Sequence, residues 1–445
     1  MRPDGILSLE TATRRFLLSL GQPTRILVAI SGGSDSTGLL VALSDALKAE
    51  PHLEISLCAA TIDHALRPQS ADEARAVAAL CATFSLAHVT KVWRGEKPKA
   101  GIMAAARDAR YALLAEAARE FGADIIVTAH TLDDQRETFA MRGLRSAANV
   151  TGISDAVLFD RRIWVARPLL LSLRADIRVM LDQRGVGWSD DPSNEDPKYE
   201  RVRTRQSLAG EGVSVDEIEA MTAARQALDE DAAAWLDAHV RVHGGMLAQV
   251  DTAGLTADRS LLAHGLARLA AVLGGQAFAL GSKAMAGVLD FLAAGRPGRV
   301  TAGRVVFDLR RDGLFLARES RGMLPLTIAA GARGVWDGRY AIENRTGSEV
   351  VVSAQGAGGD TAEVLPDHTR LLKSAVARAL AAQPRIVSIE ASDDRGNQIE
   401  IAPYFAPFDR FLTRLDVKFA ASLAAAFGTR PYPKPPLGLI DGKTI

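Results

Sequence analysis

Six consecutive residues near the N-terminus, Ser31, Gly32, Gly33, Ser34, Asp35 and Ser36, put two glycines, three hydroxyls and a carboxylate directly after the apolar run 25–30 (RILVAI). Glycines let backbone N–H groups close around phosphate oxygens, and a helix opening at Thr37 adds the positive end of its dipole. Ser31, Ser34 and Ser36 can donate further hydrogen bonds, and Asp35 can hold Mg2+ against the phosphates. The loop lacks the Lys of a Walker A sequence and the GxGxxG spacing, which argues against γ-phosphate hydrolysis and against a dinucleotide. Asp63 and His64 follow a second apolar run. Arg107 and Arg110 lie three apart, on one face of a helix. His130 is followed four residues on by Asp134, a pairing suited to proton transfer and to a second Mg2+ ligand. Asp190, Asp191, Glu195 and Asp196 precede Arg201, Arg203 and Arg205; the acids suit an ammonium group and the arginines a phosphate.

The elements that must position these residues alternate. Apolar runs at 25–30, 55–62, 88–92 and 124–129, with a weaker one at 163–166, predict strands, and helical spacing is expected over 36–48, 71–84, 103–121, 132–142 and 173–184. Strands separated by helices predict βαβ units and a parallel sheet covered on both faces. Ligands of such sheets sit at the carboxyl ends of the strands, where loops lead into helix N-termini. After Gly210, Glu211 and Gly212 the pattern changes. One long helix is expected over 215–242, then helices at 257–273 and 283–294, β-like runs at 304–309 and 313–317, a linker at 331–334, a loop at 355–360, a helix at 370–382 and an extended stretch at 430–436. The expected fold class is therefore α/β: a Rossmann-like parallel-sheet domain at 1–212, a mainly helical domain at 213–325 and a small mixed α+β domain at 326–445.

Of 445 residues, 48% are hydrophobic and 24% charged, which excludes a disordered chain, a fibre and a disulfide-stapled peptide. Lys+Arg and Asp+Glu are both 53, so a nucleic-acid partner would have to be met by local basic surface. Two such stretches exist, 91–119 with seven bases against three acids and 136–184 with nine against five. Residues 211–260 carry ten acids and three bases, and are not expected to touch RNA phosphates. Cys58 and Cys81, each in an apolar stretch, are expected to be buried reduced thiols. The N-terminus lacks a signal pattern and no uncharged apolar run could span a bilayer, so a soluble cytoplasmic protein with no membrane partner is expected. Monomer and homodimer both stay open.

The hexapeptide 31–36 resembles the SGGxDS loop of the N-type ATP pyrophosphatases, the PP-loop family. Residues 63–70 (DHALRPQS) look like the DHxLRxxS segment of tRNA(Ile)-lysidine synthases, and 106–111 (ARDARY) like their ARxxRY segment. Residues 129–138 (AHTLDDQRET) resemble GHHxDDQxET, with Ala129 and Thr131 replacing a Gly and the second His. The run 168–177 (PLLLSLRADI) resembles the RPLL…R.EI stretch, and 188–205 (WSDDPSNEDPKYERVRTR) matches a pattern of the same family, departing from it at Val202 and Thr204. The usual Gly-rich run after the GHH helix is here the less Gly-rich 141–151.

The resemblance implies an ATP-dependent ligase that forms a carbon–nitrogen bond. It implies an ATP site at Ser31, Gly32, Gly33, Ser34, Asp35, Ser36, Asp63, His64 and Arg110, with Mg2+ on Asp35 and Asp134. Catalysis would fall to Asp35, Arg110, His130, Asp134 and Arg205. Lysine and tRNA would be met by Asp190, Asp191, Asn194, Asp196, Arg201 and Arg205. The implied partners are L-lysine and a tRNA(Ile) with a CAU anticodon, gripped by tRNA-binding domains in the C-terminal half. Two alternatives stand beside this: a PP-loop tRNA 2-thiolase, which needs a reactive Cys, and an ATP-binding sensor without catalysis.

Overall fold

The strand expected ahead of the serine–glycine loop lies in the middle of a sheet. β1 (Thr24–Ala29), β2 (Ile55–Asp63), β3 (Ala87–Val92), β4 (Ile125–Val127), β5 (Ala156–Phe159) and β6 (Ile163–Ala166) run in the spatial order β5-β6-β4-β1-β2-β3. The computed structural model describes residues 5–21, 23–143, 151–189, 203–204, 212–356, 372–387 and 398–438. All pairings among the six strands are parallel except β5 with β6. Ile26, Leu27 and Val28 of β1 are wholly buried, each contributing about 1.5–3 kcal/mol by leaving water. Both faces of β1 are covered, which is why it reads as an unbroken apolar run.

The helices are α1 (Leu9–Ser19), α2 (Ser34–Ala49), α3 (Ser70–Thr83), α4 (Ile102–Phe121), α5 (Leu132–Gly143) and α6 (Arg174–Gln183). α1 had no counterpart among the expected elements, although Ser8 caps it by accepting from the Thr11 N–H at 3.2 Å. Among the strands of this sheet the unforeseen one is β5. It forms a hairpin with β6 through residues 160–162, with Asp160 and Arg161 both at φ +53°. Two successive positive φ angles make a primed turn, which normally announces itself by Asn-Gly or Asp-Gly. Gly38 of α2 lets α6 approach closely: a Cβ there would lie 2.2 Å from Ile177 Cγ2.

Contacts divide the described chain into two compact units, one of residues up to 225 with 433–438, the other of 226–432. α7 (Val215–His239) ends three residues before the expected 242, because Val240 and Val242 alternate into β7 (Val240–His243). β8 (Leu247–Val250), β9 (Gly298–Ala302), β10 (Val305–Arg310) and β11 (Gly313–Arg318) complete an antiparallel sheet ordered β7-β8-β11-β10-β9. α8 (Arg259–Gly274) and α9 (Ser282–Ala293) accompany it. The stretch 213–325, expected to be mainly helical, thus also holds five strands. Three were missed because four- or five-residue strands are too short for alternation to stand out from helical spacing.

β12 (Leu326–Ile328), β13 (Arg333–Trp336), β14 (Tyr340–Asn344), β15 (Val350–Ala354), β16 (Pro384–Val387) and β17 (Ile399–Pro403) make two small sheets, β12-β15-β16 and β13-β14-β17. Trp336, Ile342, Val350 and Val352 pack into one core there. The expected linker 331–334 instead enters β13, with Gly334 paired to Ile342. α10 (Lys373–Ala381) and α11 (Val417–Ala426) close the element order. Of the expected loop at 355–360, residues 357–360 lie outside the described set. No helix among the described residues is long and apolar enough to cross a membrane.

Candidate active site

The loop 31–36 closes on itself through its hydroxyls. Ser36 Oγ accepts from the Ser31 N–H at 3.1 Å and donates to the Gly33 carbonyl at 3.1 Å, and it lies 3.1 Å from Ser31 Oγ. Gly32 has φ +86°, and a Cβ on it would lie 2.9 Å from Val77, so both conformation and space require glycine. Gly33 is the N-cap of α2 and makes no side-chain cap bond. The first turn of α2 therefore presents backbone N–H groups and dipole to an anion. The Ser189 N–H donates to the Gly32 carbonyl at 2.9 Å, which sets the residue before Asp190 against the phosphate loop.

Asp35, on the first turn of α2, meets the start of α5 through a residue of α6. Arg174 Nε donates to Asp35 Oδ2 at 2.9 Å, and its terminal nitrogen donates to Asp134 Oδ1 at 3.2 Å. A second terminal nitrogen lies 3.9 Å from Glu137 Oε1, whose side chain is buried. The backbone N–H of Arg174 also donates to Asp133 Oδ2 at 2.9 Å. Asp134 Oδ2 accepts from the N–H and hydroxyl of Thr131, at 2.8 and 3.1 Å, the reciprocal contact of a helix start. Thr131 thus does local work in the place of a second His. His130 Nδ1 lies 3.1 Å from Thr128 Oγ1.

Burial pushes the Asp35 carboxyl above its ordinary value; Arg174 opposes this and Asp134 adds to it. Arg174 is also held above its ordinary value, although burial alone would lower it, because Asp35 and Asp134 lead a group of carboxylates around it. The asymmetry is physical. One guanidinium serves several acids, whereas Asp35 has one cation and a neighbouring anion. Asp35 and Asp134 offer converging hard oxygen donors, a set that fits Mg2+.

A second group lies past β2. Asp63 is buried, and its Oδ1 accepts from the Ala65 N–H at 2.7 Å. His64 stands edge-on to Trp93 with centroids 6.0 Å apart, and its Nδ1 is buried with no hydrogen bond. Burial, then Arg110, hold His64 below the ordinary histidine range, Asp63 opposing and Lys97 adding. Burial likewise lowers Arg110. The guanidinium of Arg107 lies over the Tyr111 ring at 5.1 Å, and the Tyr111 hydroxyl accepts from buried Arg167 at 3.4 Å.

Among the expected site residues, the structure brings together Asp35 and Asp134 and places Asp63, His64 and Arg110 in one neighbourhood. Asp190, Asp191, Asn194, Asp196, Arg201 and Arg205 lie outside the described residues. The residues that sequence reasoning left without a role are Arg174 and Glu137. Their signal was position alone, each inside a motif quoted for its neighbours.

Comparison with known proteins is consistent with this geometry. A family model described as the PP-loop domain matches residues 8–211. A tRNA(Ile)-lysidine synthase of Rhizobium meliloti is 42% identical over 446 residues, covering 96% of this chain and 97% of that one. The chain belongs to the tRNA(Ile)-lysidine synthase family. Another member, from Mesorhizobium japonicum, is 38% identical and covers 92% of this chain and 94% of its own. The likeness to the family thus extends well beyond the PP-loop domain. A U34-tRNA thiolase of Methanococcus maripaludis, at 14% identity and a TM-score of 0.36 over 44% of this chain, is too distant to argue from.

Proposed function

We propose that this chain is an ATP-dependent ligase that converts the wobble cytidine, position 34, of a CAU-anticodon tRNA(Ile) into lysidine. The observation that carries the reading is the 42% identity, over nearly the whole chain, to a tRNA(Ile)-lysidine synthase; Asp35 and Asp134 on one guanidinium beside a loop shaped for phosphate fit its phosphate chemistry. The C2 carbonyl oxygen of cytidine attacks the α-phosphorus of ATP, the bond to the β-phosphate breaks, and pyrophosphate leaves. The ε-amine of lysine, having lost its ammonium proton, then attacks C2. The C2–O bond breaks and AMP departs with that oxygen. Adenylation is needed because an amide-like oxygen is otherwise a poor leaving group.

The loop 31–36 and the first turn of α2 hold the leaving pyrophosphate by N–H groups and dipole. Asp35 and Asp134 would hold Mg2+, which supplies charge neutralisation at the phosphates. Arg174 keeps the two carboxylates apart and aimed. Asp63, His64 and Arg110 line the nucleotide side, where a neutral His64 can stack or accept without repelling Arg110. His130 stands ready for proton transfer at the nucleotide. Asp190, Asp191, Asn194 and Asp196 receive the lysine ammonium, and Arg201 and Arg205 face phosphate or the activated oxygen. The units beyond residue 212 hold the tRNA, and the work is cytoplasmic.

The thiolase alternative is disfavoured by the two thiols. Cys58 and Cys81 are both buried, and burial pushes each up to about 11, far from a thiolate at neutral pH. A sensor would not need Asp35 and Asp134 set together. AMP release from ATP separates the three readings. The ligase releases it only when lysine and the CAU-anticodon transcript are both present; release without lysine, or no release at all, contradicts the proposal.

A further inference from the structure

Two places in the second unit gather three arginines around one buried aspartate, and they differ in one respect. Around Asp337, Arg318 is buried and spends its guanidinium on the carboxylate and on the carbonyls of Arg304, Glu319 and Arg321. Arg339 reaches the same carboxylate and the Ala382 carbonyl. Arg304, the third, donates to Asp337 and is the one partly exposed guanidinium of that cluster, so its two buried guanidiniums are spent on protein oxygens.

Around Asp308 the donors are not saturated. Arg299 on β9 lies opposite Asp308 in the strand register, and its Nε donates to Asp308 Oδ2 at 2.7 Å. Arg310, two residues on and so on the same face, brings Nε to 2.7 Å from Oδ1 without hydrogen-bond alignment. Arg378 of α10 holds a terminal nitrogen 4.0 Å from Oδ2, buried and without a hydrogen bond. Asp308 is fully buried, while Arg378, Arg310 and Arg299 are 15%, 33% and 45% exposed. The carboxylate therefore sits at the bottom as an anchor, and three guanidiniums fan from it towards solvent. Among the described residues Asp308 is the carboxylate paired with them, so the group carries a net of two positive charges in a partly desolvated place. Burial and the like charge of Arg299 push Arg378 below its ordinary value, Asp308 opposing and Arg310 adding. An anion there would relieve both costs, because each guanidinium can fork onto two phosphate oxygens. The hydroxyl of Ser374, already bonded to Arg299 at 3.0 Å, adds a neutral polar neighbour.

We propose that Arg299, Arg310 and Arg378, fixed by Asp308, form a phosphate-binding site that takes a backbone phosphodiester of the RNA substrate. The proposal rests on the tRNA reading above and gives that substrate a contact on the second unit. Inorganic phosphate shares the chemistry, so the test has an arm for each source.

The experiment measures the affinity of the full chain for a CAU-anticodon tRNA transcript across a salt series, for wild type, Arg299→Gln/Arg310→Gln, Arg378→Lys and Arg259→Gln. Arg259 pairs with Asp290 on an exposed surface of the same unit and controls for lost charge as such. The double variant is expected to bind roughly ten-fold more weakly, with a log–log salt slope shallower by about one to two. Arg378→Lys, which keeps charge but loses the fork, is expected to weaken binding with little change of slope. An unmoved affinity and slope in a folded double variant overturns the site, as does an equal effect of Arg259→Gln. Calorimetric titration with inorganic phosphate that shows binding lost in the double variant, while RNA affinity is unmoved, overturns the RNA assignment. Lysidine formation by the wild type is followed in parallel. Its absence sinks the catalytic reading, whereas an unmoved slope beside good lysidine formation sinks only the site.

Discussion

The Asp35 carboxylate at the phosphate loop works against the stability of the chain that carries it. Burial raises the Asp35 carboxyl, so its folded value lies above that of the unfolded chain. Its stabilising contribution is complete below the unfolded value near 3.8 and is lost as pH rises through the higher folded value. Asp35→Asn removes that loss. In thermal unfolding without nucleotide or Mg2+, the variant is expected to melt above wild type at pH 7, with the gap closing towards pH 4, and to make no lysidine. A gap that is constant with pH would contradict the assignment of cause. Arg174→Ala leaves Asp35, Asp134 and Glu137 facing one another. Breaking a mostly buried pair costs about 3 kcal/mol, to be read as a lower denaturant midpoint. At this scale the motif order singled out His130, which meets Thr128, and the pair Asp35 and Asp134. It could not show that Arg174, some forty residues beyond Asp134, joins them, because that depends on α6 returning to the loop.

Between elements, the site depends on how closely α2 and α6 pack. Gly38 has room for no side chain beside Ile177, and that contact fixes where Arg174 meets Asp35. Gly38→Ala is expected to destabilise the chain by about 1–3 kcal/mol and to lower turnover more than ATP affinity. Gly38→Ala/Ile177→Ala, which restores the space, should recover most of the turnover; steady-state kinetics of both variants decide it. The parallel strands and their helices were legible because each carries its own periodicity. β5 was not, since its turn uses Asp160 and Arg161 where Asn and Gly would have signalled positive φ. The short strands β7, β8 and β9 lack the length for alternation to show, and Gly334, which reads as part of a linker, lies in β13 and pairs with Ile342 of β14.

Over the whole molecule, zero net charge means that the proposed RNA substrate would have to be met by positive charge concentrated locally. The basic stretches 91–119 and 136–184 lie in the sequence of the first unit, and the cluster on Asp308 lies in the second. Only the first two were visible as composition; the third is made by strand register and a helix from seventy residues away, which no sequence window contains. Ser189, the residue ahead of the segment that the sequence singles out for the substrate, donates its N–H to the Gly32 carbonyl. The product of the reaction decides between the readings. The most direct test is mass spectrometry of the anticodon nucleosides after incubating the full chain with ATP, Mg2+, lysine and a CAU-anticodon isoleucine tRNA transcript. Lysidine at position 34, absent with Asp35→Ala, is the predicted result. Unmodified cytidine with the wild-type chain, while AMP is still released to another acceptor, would contradict the substrate and leave only the phosphate chemistry.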